Sequence, residues 1–337
     1  MSKNKILTVI LAACGIILLA GVVLALTGLF GSTLDVYDHA EMYTAGEAAV
    51  SGTVRCLDID WSAGGVTFAW HDGDGILLSE TSDREIGEDL RLRWWLDGDT
   101  LRVRFGKSGV RLSSLFGHYP QKELTVALPR GIEIAELDID TGSASQHITG
   151  LNADTMKLDS ASGRIEVQAD WVGTLMADAA SGSVSVSVGN AAAVTVSTAS
   201  GGTDVTVEQA NTLQVSTASG RIGVNAGSIG SLKLSSASGG ISVEASSVDN
   251  GEIGSTSGAV RAQLDAFGSL KITTVSGAAS AFLPVEPGYK AVLDTVSGRV
   301  VFNAPLTRSG NAYVCGDGSG QVTIETVSGG IQLDPLP

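Results

Sequence analysis

MKLDSASGRIEV, residues 156–167, alternates apolar and polar residues on either side of a small Ser-Gly turn. Apolar side chains at every second position follow the period of a strand, not that of a helix. The phrase then recurs. Gly163, Gly182, Gly201, Gly220, Gly239, Gly258 and Gly277 follow one another at intervals of 19 residues, each preceded by serine. Ser143-Ala144 is a weaker copy one period earlier, and Ser297-Gly298 and Ser328-Gly329 are looser copies at intervals of 21 and 31 residues, which makes ten units.

A fixed period of this length marks a solenoid, in which one coil cannot bury its apolar face alone and stacks on its neighbours. Stacking turns sequence columns into interior ladders. Met156, Leu175, Val194, Leu213, Leu232 and Leu270 form one, with a gap at Gly251, and Leu158, Ala177, Val196, Val215, Leu234, Ile253 and Ile272 form the next. Beyond the turn, Ile165, Val184, Ile222, Ile241 and Val260 form a third, interrupted by Thr203, and Val167, Val186, Val205, Val224 and Val243 a fourth. A fifth, from Ala153 through Val172, Ala191, Ala210, Ile229 and Val248 to Phe267, closes the return corner. A flexible Gly/Ser linker has no reason to keep five apolar columns in phase. At the Ser-Gly corner, glycine is expected to supply positive φ, and the serine hydroxyls, with the column from Ser160 to Thr326, to hydrogen-bond along the stack.

The expected fold is therefore all-β: a β-solenoid (β-helix) of about ten coils, with an N-terminal β cap, preceded by one transmembrane helix. Ile6–Phe30 carries no charge and is long enough to span a bilayer, while Lys3 and Lys5 precede it and Asp35, Asp38 and Glu41 follow. The positive-inside rule places the N-terminus in the cytoplasm and the rest outside. Leu11-Ala12-Ala13-Cys14 resembles a lipobox, but the apolar run continues past Cys14, so a retained anchor is the expectation over lipidation or cleavage. Residues 1–31 are thus assigned as anchor, 32–52 as linker, 53–130 as cap and 131–337 as solenoid. The cap carries alternating strands such as Leu57, Ile59 and Trp61, read as antiparallel, and Asp97-Gly98 marks a hairpin. Part of 303–321 is expected to leave the coil as a loop.

The 337 residues carry a formal net charge of -15 and no basic stripe, which speaks against a nucleic-acid partner. Three cysteines are too few for a disulfide framework. Cys56 and Cys315 are expected to stay unpaired, since ten coils at ~4.8 Å would hold them ~40 Å apart.

A span, a strand-rich segment ending in VALPRG at Val126–Gly131, and coils such as LDSASGRIEV resemble the bacterial putative-adhesin family of β-strand-repeat proteins, a family of unknown function. The resemblance covers about residues 53–333. It implies a surface or envelope location, suggests adhesion, and supplies no catalytic residues.

The residues agree with a non-enzyme. Gly106-Lys107-Ser108 has leucine, Leu101, where a phosphate loop needs glycine. His71–Gly75 and Gly316-Asp317-Gly318 lack the spaced acids of a calcium loop, and His39, His71, His118 and His147 lack ligand spacing. No Gly-x-Ser-x-Gly occurs. No catalytic, cofactor-binding or metal residue is assigned, and no cofactor. One acidic column, Asp140, Asp159 and Asp178, is expected to stack on the outer face, where it is read as a solvated face with no basic or aromatic column beside it. The functional expectation is a membrane-anchored extracytoplasmic binding or structural module, adhesin-like, with an envelope protein or polysaccharide as ligand. Envelope-stress sensing through a membrane partner and a carbohydrate-active β-helix enzyme are the alternatives. Handedness and oligomeric state are not legible.

Overall fold

The computed structural model describes residues 36–109 and 120–336, which fall into two compact units, 36–188 and 189–336. The expected span Ile6–Phe30 and Cys14 lie outside the described residues. Within the described residues no helix is long and apolar enough to cross a membrane, and the only helical turns are 3-10, at Ala40–Met42 and Glu88–Leu90. The architecture is all-β.

In the second unit, residue i pairs in parallel with residue i+19. Ile222 lies opposite Ile241, which lies opposite Val260, and Leu234 opposite Ile253, which lies opposite Ile272. The apolar columns are buried accordingly: Leu213, Val215, Ile253, Val260 and Ile272 are at most 1% exposed. The gap at Gly251 is filled by its neighbour, whose Leu270 Cδ1 would stand 3.2 Å from a Cβ there. Each buried Val, Leu or Ile contributes roughly 1.5–3 kcal/mol, so the columns are the main source of stability.

The corner works differently from the expectation. None of the repeat glycines has positive φ; at Gly163, Gly182, Gly220, Gly239, Gly258 and Gly277 glycine is required by close approach of the preceding coil. A Cβ on Gly220 would stand 1.8 Å from the Gly201 carbonyl oxygen, and one on Gly182 1.8 Å from that of Gly163. The inward hydroxyl column mostly braces its own corner. Thr198 Oγ1 donates to Gly201 O at 2.9 Å, and Gly239 N and Gly258 N donate to Ser236 Oγ and Ser255 Oγ at 2.7 and 2.9 Å. Bonds between coils along this column join Thr198 to Thr217 and Thr326 to Thr295. The hydroxyls of Ser162, Ser219, Ser297 and Ser328, each before a corner glycine, instead reach the neighbouring coil, as Ser219 Oγ does to Ala199 O at 3.2 Å.

Both units order their coils differently from the sequence. In the second, Ser269–Thr274 pairs in parallel with Gln321–Thr326, which in turn pairs with Lys290–Thr295. Across the corner, Ala279–Leu283 pairs with Ile331–Pro335, which pairs with Val300–Phe302. The last coil in sequence, Gly320–Pro335, is therefore inserted beneath the coil that precedes it. Part of 303–321 leaves the coil as expected, but as a hairpin, Thr307–Ser309 with Ala312–Gly316, whose second strand covers Gly288–Ala291.

The first unit repeats the device. Cys56–Trp61 and Gly64–His71 form a coil that stacks in parallel on Ile134–Thr141 and Ser145–Thr149. Thr100–Arg104 and Lys122–Pro129 form the next, again parallel, on its other side. So the segment 53–130 is not a set of antiparallel strands alone. Antiparallel pairing is confined to strands such as Arg93–Asp97 and Ile76–Ser82, which cover the outermost coil, with Gly98 at φ 64° in the expected hairpin. Lys122, wholly buried, is held there by Glu80 Oε2 at 2.6 Å and the carbonyls of Leu90 and Phe105 at 2.7 and 2.6 Å. Its ammonium lies 4.2 and 4.5 Å from the ring centroids of Phe105 and Trp61.

Candidate functional site

On a strand whose inward residues alternate with outward ones, register decides which outward side chains become neighbours. In the first unit Arg104 lies opposite Asp60, Asp60 opposite Asp140, Asp140 opposite Asp159, and Asp159 opposite Asp178. The acidic column read from the sequence therefore stacks as Asp140, Asp159 and Asp178, with Asp60 extending it and Arg104 at its end. A second outward column runs beside it: Arg102, Asp58, Asp138 and Lys157.

The two columns neutralise one another in part. Arg104 donates to Asp58 Oδ1 at 2.7 Å and Oδ2 at 3.0 Å, a two-pronged clamp, and Arg102 donates to the same carboxylate. Lys157 Nζ stands 3.1 Å from Asp159 Oδ2 and 3.5 Å from Asp138 Oδ1. Burial works against the Lys157 charge, but the hydrogen bond and charge of Asp159, with Asp138, more than offset it and raise the ammonium's pKa. Asp138 and Asp140 are raised above the ordinary carboxylate range. Crowding by the surrounding chain is the first cause for both; for Asp140 the second is the Asp159 charge. Asp140 as a residue remains exposed, so its carboxyl is crowded at the surface and not enclosed.

The expectation that nothing basic or aromatic flanks the acids is corrected here. Trp95 lies opposite Arg102, whose guanidinium carbon is 6.0 Å from the indole centroid. Tyr43 packs edge-on against Trp95 with centroids 5.7 Å apart, and His39 lies 5.9 Å from the same ring. The Tyr43 phenol is raised by burial, against the opposing charge of Arg104, so it stays a protonated donor at neutral pH. The reading from sequence missed this group because Thr100–Arg104 belongs to no 19-residue unit and meets the acids only through the rearranged coil order. A usable signal existed: Arg102 and Arg104 alternate with the inward Leu101 and Val103.

The other motifs are turns. The His71 ring donates from Nε2 to Gly75 O and accepts from Gly73 N at Nδ1, and Asp317 Oδ1 accepts from Ser319 N. Among the described residues no group of three or more His, Cys, Asp or Glu could hold a metal ion, and Cys56 and Cys315 are free thiols. VALPRG ends at a hollow of about 680 Å³ lined by Arg55, Ile76, Pro129 and Arg130.

Two overlapping stretches, residues 130–210 and 172–334, match the Toastrack DUF4097 family model, which together is more than half of the chain. The chain belongs to the Toastrack DUF4097 family. Solved structures similar to this Toastrack chain include a putative lipid binding protein from Parabacteroides distasonis, 20% identical, with 71% of this chain and 96% of that one covered and a TM-score of 0.48. Others are putative adhesins, from Bacteroides fragilis (13% identity, 86% and 96% covered, TM-score 0.36) and Parabacteroides merdae (14%, 88% and 96%, 0.33). No curated protein matches the chain.

Proposed function

We propose that this Toastrack protein is a binding module of the bacterial envelope, adhesin-like. In this reading Ile6–Phe30 spans the membrane once with Lys3 and Lys5 inside, and the repeats lie outside as a β-solenoid of about ten coils. The observation that carries the binding role is the outer face of the first unit. Ring faces at Trp95 and Tyr43 continue into guanidinium and ammonium donors at Arg102, Arg104 and Lys157 and carboxylate acceptors at Asp60, Asp140 and Asp159.

Such a face is laid out along strands and not around a cleft. It suits an extended polymer rich in hydroxyls, whose O–H groups meet the carboxylates, whose oxygens meet the cations, and whose C–H faces lie on the rings. An envelope polysaccharide has that chemistry. The carboxylates do not converge with a nucleophile or a water-excluding pocket, so the face binds without turning over its ligand.

Two measurements test the reading. Protease and a membrane-impermeant label applied to intact cells, or to spheroplasts where an outer membrane is present, should reach the repeats. The full chain in detergent should retain polysaccharide from envelope extracts without shortening it. Protection from both reagents would overturn the topology, and failure to retain any polysaccharide would overturn the binding role.

A further inference from the structure

Among the described residues, nothing pairs with part of the outer side of the last coil of the second unit, Gly288–Phe302. Lys290–Thr295 pairs inward with Gln321–Thr326, and the hairpin covers only Gly288–Ala291, so Val292–Thr295 presents a free edge. Among the described residues Val300–Phe302 pairs only with Ile331–Leu333. At this level the interior is only partly covered, by the hairpin's Tyr313, whose ring centroid lies 5.1 Å from that of Phe302. Phe302 is 36% exposed, whereas Leu333 and Ala281 beneath it are wholly buried. Among the described residues of this unit, the exposed large apolar side chains, Val296, Val301 and Phe302, all belong to this coil. An unpaired edge above a partly covered apolar core is the feature that soluble β-proteins otherwise cover or charge.

We infer that this end is an interface for a second copy of the same chain, the two edges pairing antiparallel about a two-fold axis through the Val296–Ser297 corner. Such an axis, lying in the plane of the coil, exchanges its two strands. The strand entering the corner in one copy then meets the strand leaving it in the other, in opposite directions. Residue by residue, Leu293 meets Val300, Val292 meets Val301, and Asp294 meets Arg299.

Each of these pairs is matched. Leu293 and Val300 share the inward columns of Ile324 and Ile331, so apolar meets apolar over the core. Val292 and Val301 are both outward, opposite Thr323 and Gln332. Asp294 and Arg299 are exposed and of opposite charge, and the axis makes two such ion pairs. The alternation of inward and outward residues holds across the whole pairing, a self-complementarity that an unrelated strand has no reason to share. The hairpin on Gly288–Ala291 stops the pairing at Val292.

The test is sedimentation equilibrium of the full chain in detergent over a wide concentration range, with melting temperatures measured alongside. The wild type should dimerise. Val301→Lys, an outward change, should weaken the dimer, and so should Asp294→Arg or Arg299→Asp alone, each by about ten-fold or more, because like charges then face each other twice. The double reversal Asp294→Arg with Arg299→Asp should restore it. If melting shows Val301→Lys to be misfolded, the charge exchange carries the test. A monomer at every concentration, a dimer indifferent to the single reversals, or a double reversal no tighter than either single one would overturn the inference.

Discussion

Gly329 packs on Gly277, and Gly298 packs on Gly329: a Cβ on Gly329 would stand 1.9 Å from the Gly277 carbonyl oxygen, and one on Gly298 1.9 Å from that of Gly329. The order in space is thus 277, 329, 298. Backbone bonds from Ser328 N to Val275 O and from Ser297 N to Val327 O repeat it.

The corner glycines should therefore fail for a steric reason and not a conformational one. Gly220→Ala or Gly329→Ala drives a methyl group into a carbonyl fixed by the coil beneath, and should cost about 3 kcal/mol or more, at or beyond the upper end of ordinary overpacking. Gly202→Ala, where nothing lies within 4 Å of the new Cβ, should be close to neutral. Urea unfolding of the three variants makes the comparison, and equal effects would remove the close-approach explanation.

Glu80 and Lys122 form a buried pair whose partners lose much when separated. Glu80→Ala leaves an ammonium in the core with two carbonyls and two rings for company, and should cost about 3–5 kcal/mol. Replacing both, as Glu80→Leu with Lys122→Met, should recover most of that loss, since a desolvated ion pair stabilises little over apolar packing of similar volume. Thermal melts of single and double variants decide it. A double variant as unstable as Glu80→Ala would show that the pair is needed for more than its own neutrality.

Asp140 carries a pH signature. Its folded-state pKa is raised above the ordinary aspartate value of 3.8, so over the pH range between the two the folded protein holds a proton that the unfolded chain has already released. As pH rises from 3.8 through the raised value, this group subtracts from stability, and above it the cost is complete. Asp140→Asn removes that cost. The variant should melt higher than wild type at neutral pH and converge with it below 3.8, and a lower melting temperature at neutral pH would contradict the assignment.

How far the sequence reveals this protein depends on where each residue sits relative to the 19-residue period. Leu234, Ile253 and Ile272 were legible as one buried column because the period is unbroken between them. So was the stacking of Asp140 on Asp159. Arg104 on Asp60 was not, because Thr100–Arg104 reaches Cys56–Trp61 through a coil order that no spacing records. Lys122 gave no sign at all: an isolated lysine beside Gln121 and Glu123 reads as surface, and only the approach of Glu80, Leu90 and Phe105 makes it core.

The most direct test of the binding role is the affinity of the full chain in detergent for isolated envelope polysaccharide, compared among wild type, Trp95→Ala and Lys233→Ala. Trp95 belongs to the proposed face, and Lys233 is an outward residue of the second unit. The account predicts about a ten-fold or greater loss for Trp95→Ala, the scale of one stacking contact removed, and no change for Lys233→Ala. Binding that survives Trp95→Ala unchanged would contradict it.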